Sequence, residues 1–361
     1  MHPHLERLRE RLARWPGMAA CLVPGVDFLY LLGWSPVVDE RPTFLMVGPK
    51  GVALAVPALN AARAEQVLGE AGRVFAWTDG EGPGQATAAA LTTCGWQGGR
   101  LAFSDAGRFD HAVLLEAVAG VRLERASPIL RPLRLIKDAA EQAQLAHSAR
   151  LCDRGMEAGL KALRLGITEQ EVAEAVRQGF LLAGADSPAF ILVAFGPNTA
   201  EPHHQPDGTR LGPGPVLLDI GCYHAGYASD MTRMAYWGEP TPAFREAFAT
   251  VEAAVEAGLS AVGPGKPCEA VDQAARSVIR AQGMAERFVH RTGHGIGLEV
   301  HEAPDIVEGN REEQAVGMAF SVEPGVYFPG AFGIRLEEVV LVHEGGGRVL
   351  SRLPRDLVRL G

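Results

Sequence analysis

Four acidic residues stand in apolar surroundings, where charge is costly: Asp219 in VLLDIG, Asp230 in YASDMTR, Glu323 in SVEPG and Glu337 in IRLEEVV. A buried, unpaired carboxylate costs several kcal/mol, so each of these acids needs a cation, a proton or a network of donors. A salt bridge or a capped hairpin would satisfy any one of them alone. The flanking alternation, however, reads as two hairpins that set the acids in pairs on adjacent strands. Like charges at that range repel unless divalent metal neutralises them. Two divalent cations balance four carboxylates in formal charge.

His294, in HRTGHGIGLEVHE, adds a nitrogen donor on a segment where Gly293, Gly295 and Gly297 leave room for close backbone approach. A lone histidine is more often structural, but this glycine spacing is useless for ordinary packing and favours a ligand. Four carboxylates and one imidazole form a hard, oxygen-rich set. Such a set suits two divalent ions, Mn²⁺ or Co²⁺ foremost, with Fe²⁺ or Zn²⁺ also accommodated. His203 in EPHH and His301 in EVHE precede the two hairpins, and imidazoles beside a metal pair are suited to donating to a carbonyl oxygen or a tetrahedral intermediate. Taken individually, either could be a surface or core histidine. His204 points away from His203 if that segment is extended.

The elements that must position these residues read as one plan run twice. Asp138 opens a long helix, and Thr241-Pro242 opens another 103 residues later. Each is followed by a shorter helix, at GITEQEV with a Thr168/Glu171 capping box and at GKPCEAV. Next come an apolar strand (FILVAFG, then RFVHRTG), the histidine loop, and a hairpin: VLLDIG with YASDMTR, then FSVEPGVYF with FGIRLEEVVLV. Asp219 and Glu323 lie 104 apart, so the offset is nearly constant. A duplicated domain with its site between the halves follows. Upstream, short apolar runs (AACLVPG, FLYLLGW, TFLMVG, GVALAVP) alternate with helical patterns, as in a mixed α/β layer domain without chemistry of its own. The expected boundary puts an N-terminal domain at 1–135 and a catalytic domain at 136–361.

Composition limits the partners. A chain of 361 residues with 47% hydrophobic and 21% charged residues is globular and long enough for two domains. A net charge of -9 argues against nucleic-acid and anionic-membrane surfaces, which need clustered Lys and Arg. The first residues, MHPHLERLRERLARWPG, space Leu5, Leu8 and Leu12 on one helical face and lack the apolar core of a signal peptide. The 5 cysteines show no paired spacing and read as free thiols of a reducing compartment, so a cytoplasmic location is expected.

Together DIGCYHAGYASDMTR, HRTGHGIGLEVHE, VEPGVYF and IRLEE resemble the pita-bread metallopeptidases, the family of methionine aminopeptidase, Xaa-Pro aminopeptidase and Xaa-Pro dipeptidase (prolidase). The resemblance is close over about residues 137 to 361, and the preceding region is similar to the creatinase-like N-terminal domain of the proline-specific branch. It implies an α/β (α+β) chain whose pita-bread domain has pseudo-two-fold halves, and commonly a homodimer. It further implies Asp219, Asp230, His294, Glu323 and Glu337 as ligands, with Asp230 and Glu337 bridging both ions. Glu323 is implied as base and proton shuttle, His203 and His301 as holding substrate and intermediate, and His290 and Arg335 as lining the pocket. The implied reaction is attack by a bridging hydroxide on the peptide bond before proline, in a small peptide with proline in second position. Because all five ligand positions are kept, a non-catalytic binding module is disfavoured. The extra domain disfavours a methionine aminopeptidase.

One departure separates dipeptidase from Xaa-Pro aminopeptidase. Dipeptide cleavage calls for a group that captures the substrate's free carboxylate, typically Arg. Many prolidases carry Arg just after HE-x-P, whereas this chain has Asp305 there. Arg311, Arg335 or a group from a partner subunit are the substitutes visible in sequence. The dipeptidase is the expectation, and the aminopeptidase its alternative.

Overall fold

A computed structural model describes residues 3–361; Met1 and His2, which begin the amphipathic segment, lie outside the described residues. The chain divides into two compact units, the first ending at Arg134 and the second spanning Leu135–Gly361.

In the first unit the helix Pro3–Leu12 buries Leu5, Leu8 and Leu12, the face that their spacing predicts. A mixed six-stranded sheet follows in the order Gly72–Trp77, Gly51–Pro57, Phe44–Gly48, Ala19–Leu22, Leu101–Phe103 and Leu123–Arg125. Ala90, Leu91 and Leu115 of two helices pack on it with Cys21, Phe44, Met46 and Phe103. The run FLYLLGW differs from expectation: it lies in a helix, Val26–Leu32, stopped by Gly33 at φ 64, whose N–H donates to Leu29 O. A short run that is apolar throughout shows no period to tell helix from strand.

The second unit carries the duplication. In its first half the helices Ala139–Ala162 and Glu169–Ala183 cover the strands Ser187–Phe195, Gly214–His224 and Met231–Trp237. Both expected caps form: the Asp138 and Thr168 side chains accept N3 amides, and Glu141 and Glu171 reach back to the N-cap amides. In the second half Pro242–Ser260 and Glu269–Ala281 pack on the strands that contain Phe320, Val322, Val326, Ile334 and Val340. The halves repeat down to single hydrogen bonds. Glu169 N donates to Thr209 O as Glu269 N does to Asn310 O, and Gly166 N to Leu211 O as Gly265 N does to Gln314 O. Each glutamate then accepts a loop amide, from Asp207 and Gly309 respectively.

The second half departs from the expected plan in two places. RFVHRTG is not a strand: after a turn at Ala285–Arg287 only Gly293–Gly295 is extended. The Arg276 guanidinium lies 4.1 Å from the Phe288 ring centroid and donates to Phe288 O and His290 O, so these carbonyls are satisfied outside any ladder. The expected hairpin is also split. Ala319–Val322 pairs with Glu338–His343, while Gly325–Phe328 pairs with Phe332–Arg335. The break falls at Glu323-Pro324 and Leu336-Glu337, where Pro324 has no N–H and Glu323 N donates instead to Thr292 O at 2.7 Å.

Arg233 ties the first-half sheet to the C-terminal segment. Fully buried, it donates to Glu338 Oε1 at 2.8 Å and to the carbonyls of Glu337, Leu353 and Pro354. Replacing it removes the main cation from the buried Glu338 carboxylate, which keeps Ser351 and, at 3.4 Å, Arg355, and takes a donor from each of several buried carbonyls. Arg233→Met is therefore expected to lower stability by about 3–5 kcal/mol in denaturant melts, and Arg233→Met/Glu338→Leu to recover part of it. A single-variant loss under about 1 kcal/mol would contradict this role.

Candidate metal centre

Five expected ligands converge from the two halves. Asp219 lies mid-strand in Gly214–His224, opposite Thr232. Asp230 follows at the interruption between Tyr227–Ala228 and Met231–Trp237. Glu323 and Glu337 sit at the two breaks of the split hairpin. His294 occupies the short strand Gly293–Gly295, gripped from both sides: a Cβ on Gly293 would lie 1.9 Å from Ser321 O, and one on Gly295 2.0 Å from Ala303 O. Only glycine permits that approach.

Donor atoms of Asp230, His294 and Glu337 lie within 4.8 Å of one another. His294 Nε2 is 3.2 Å from Glu323 Oε1 and 3.6 Å from Asp230 Oδ2. Asp219 is engaged by Arg335, whose guanidinium donates to Asp219 Oδ2, to Tyr327 Oη at 2.6 Å and to Pro202 O at 3.3 Å. Glu337 Oε2 accepts from Thr232 Oγ1 at 2.9 Å. Two carboxylate oxygens, Asp219 Oδ1 and Glu337 Oε1, are buried with no hydrogen-bond partner. Oxygen acceptors left bare beside an imidazole are the donors a hard divalent cation takes, so these residues fit the metal that their chemistry calls for.

The electrostatics agree. Burial pushes Asp230 and Glu337 well above the usual carboxylate range, and mutual repulsion adds to it, from Asp219 on Asp230 and from Asp230 on Glu337. Burial also opposes ionisation of Glu323, but the hydrogen bond and charge of His294 outweigh it and lower this carboxyl to about 2. Burial would depress His294, yet Glu323 and Asp230 raise it: the acids draw the available positive charge to themselves.

The other expected residues surround this cluster. The His301 ring meets His294 edge-on with centroids 4.0 Å apart. Burial, then His294 and Arg291, hold its pKa down at about 4, so it is a neutral imidazole at neutral pH. His203 is exposed and next to Pro202, whose carbonyl Arg335 holds. His290 Nε2 lies 3.0 Å from Tyr327 Oη, beside Arg335. His204 does point elsewhere, with Nε2 2.7 Å from Glu169 Oε2. Glu169, wholly buried at the start of its helix, also accepts from Phe195 N, Asn198 Nδ2 and Asp207 N, and so fixes the loop that presents His203.

Sequence reasoning missed Thr232, Tyr327, Ser321 and Glu169. Thr232 alone carried a legible signal, as a polar residue two positions after Asp230 in a strand that, Arg233 apart, is apolar. Of the arginines considered for a substrate carboxylate, Arg311 is exposed at the surface 4.0 Å from Glu269, and Arg335 is buried and engaged with Asp219, Tyr327, Thr232 and Pro202.

A duplicated α/β unit with buried acids from both halves around one histidine defines a metal-dependent hydrolase centre, and the chain belongs to metallopeptidase family M24, which it matches over residues 143–344. Residues 4–136 match the creatinase/prolidase N-terminal domain. The chain is 38% identical over 348 residues to the probable dipeptidase PepE of Mycobacterium bovis, covering 95% of this chain and 92% of that one. It is 37% identical over 234 residues to the Xaa-Pro dipeptidase of Lactobacillus delbrueckii subsp. lactis, 64% of each chain. The crystal structure of prolidase from Thermococcus sibiricus superposes with a TM-score of 0.93 at 31% identity, over 99% of this chain and 98% of that one.

If repulsion among these acids is relieved by metal, Glu337→Gln has opposite effects in the two states. In chelated protein, with metal loss verified, the variant should melt above the wild type. In manganese- or cobalt-supplemented protein it should melt below, because metal binding stabilises the folded state by mass action. Chelation that leaves the wild-type melting curve unchanged would sink the metal site.

Proposed function

We propose that this M24 metallopeptidase hydrolyses the peptide bond before proline in Xaa-Pro dipeptides, with Asp219, Asp230, His294, Glu323 and Glu337 holding two divalent ions, Mn²⁺ or Co²⁺. The observation that carries the metal assignment is the pair of bare buried oxygens on Asp219 and Glu337 beside the Asp230–His294–Glu337 cluster. The dipeptidase reading draws support from the names of the relatives, dipeptidase, Xaa-Pro dipeptidase and prolidase. Five free, buried cysteines support a reducing, cytoplasmic setting.

Bound there, divalent ions supply a water of lowered pKa and polarise the scissile carbonyl. Glu323, ionised and 3.2 Å from His294, takes the proton of the attacking water on its carboxylate. Proline makes the leaving nitrogen a secondary amine that must be protonated as it departs, and Glu323 returns the proton to it. His301, as a neutral imidazole, and His203 donate to the carbonyl oxygen as it gains charge. His290 and Arg335 line the site through Tyr327 and Asp219, and Arg335 also sets the Pro202–His203 backbone.

Product analysis of the manganese- or cobalt-loaded protein, offered Ala-Pro and Ala-Pro-Ala at equal concentration, tests the substrate. Cleavage confined to Ala-Pro is expected; preference for the tripeptide would make the protein an Xaa-Pro aminopeptidase. Glu323→Ala should lower kcat by about 10²-fold or more with an unchanged fold by circular dichroism, and retained turnover would remove its proton-carrying role.

A further inference from the structure

A dipeptide carries a carboxylate one residue from the bond that breaks, and the candidate centre is itself rich in acids. Something cationic must meet that anion outside the metal cluster. Arg335 is buried among its partners, and Arg311 pairs loosely with Glu269 at the surface. On the strand Glu302–Ile306, Asp305 pairs in antiparallel register with His294. Residues opposed in an antiparallel ladder project to the same face, so Asp305 faces the side on which His294 meets the acids. Its partner there is Arg291, three residues before His294. Its side chain is 34% exposed.

The geometry points to Arg291 as the group that captures the substrate's C-terminal carboxylate, held in place by Asp305; this rests on the dipeptidase reading above. The pairing takes only Nη1 of the guanidinium. Its remaining N–H donors are of the kind that grip a carboxylate bidentately. Asp305, which in sequence looks like an obstacle to an anionic substrate, instead anchors the arginine. In the free protein it also neutralises a cation that would otherwise stand alone.

The test compares Ala-Pro with Ala-prolinamide, which keeps the scissile bond and lacks the anion, using metal-loaded wild type, Arg291→Gln and Asp305→Asn. A lost charge-assisted contact corresponds to about 10- to 100-fold. Arg291→Gln should therefore raise KM for Ala-Pro by about that factor, with the KM for the amide staying where it was. Asp305→Asn, which keeps the arginine and an oxygen acceptor for its Nη1, should keep the preference for the free acid. Equal loss on both substrates, or a wild type indifferent to acid and amide, would overturn the assignment. A check that needs no variant is inhibition by free proline against prolinamide: the acid should bind at least about tenfold more tightly, and equal binding would likewise overturn it. Failure of the dipeptidase reading looks different, as turnover of Ala-Pro-Ala with none of Ala-Pro.

Discussion

Repulsion among buried carboxylates is the constraint on which the second unit of this chain depends. The protein answers it in part with its own cations. Arg335 takes one oxygen of Asp219, and His294 meets Glu323. Neither reaches Asp219 Oδ1 or Glu337 Oε1, and Asp230 and Glu337 remain pushed up by burial and by each other. An arrangement left short of positive charge stores energy that an entering cation releases. Because the acids come from both halves, that cation is also a tie between them. The single strand Met231–Trp237 shows how tightly the centre is set beforehand. Thr232 bonds the Glu337 side chain, and the next residue, Arg233, bonds the Glu337 backbone, so consecutive side chains fix this carboxylate from two directions.

The duplication extends this logic to the loops. In the first half, Glu169 in the first turn of its helix gathers Phe195 N, Asn198, His204 and Asp207 N and so sets the stretch around His203. In the second, Asp272 in the corresponding helix accepts from Thr292 Oγ1 at 2.6 Å and pairs with Arg276, which holds the carbonyls of Phe288 and His290. Both carboxylates are fully buried and receive several donors, the condition under which a buried charge is stable without metal. Buried acids thus serve two purposes here, and counting their donors separates them.

That count explains what the sequence could and could not disclose. Asp219, Asp230, Glu323 and Glu337 were legible because a charge in an apolar strand is anomalous whatever surrounds it, and the helix starts were legible because capping is local. Glu169 looked like any first-turn glutamate: its burial depends on a loop about 30 residues downstream. RFVHRTG read as a strand because composition does not reveal that Arg276 replaces the ladder. Arg291 was passed over because its meaning lies in a register, His294 opposite Asp305, that only the folded sheet defines.

The split of the second hairpin follows from the same demand. A continuous ladder would leave successive side chains alternating between faces, with Glu323 and Glu337 fixed by the pleat alone. Pro324 cannot donate to a ladder, and Glu323 N turns to Thr292 O, on the segment that leads into His294. Glu337 N, across the break, reaches Thr232 O at 3.4 Å, in the other half. The ladder bonds given up by one hairpin become the bonds that join three elements around the cluster. The positions of Glu323 and Glu337 are therefore set by backbone rather than by the reach of flexible side chains. A centre built this way holds its acids close together through the backbone, so their repulsion is met by raised pKa values and by cations rather than by side-chain rearrangement.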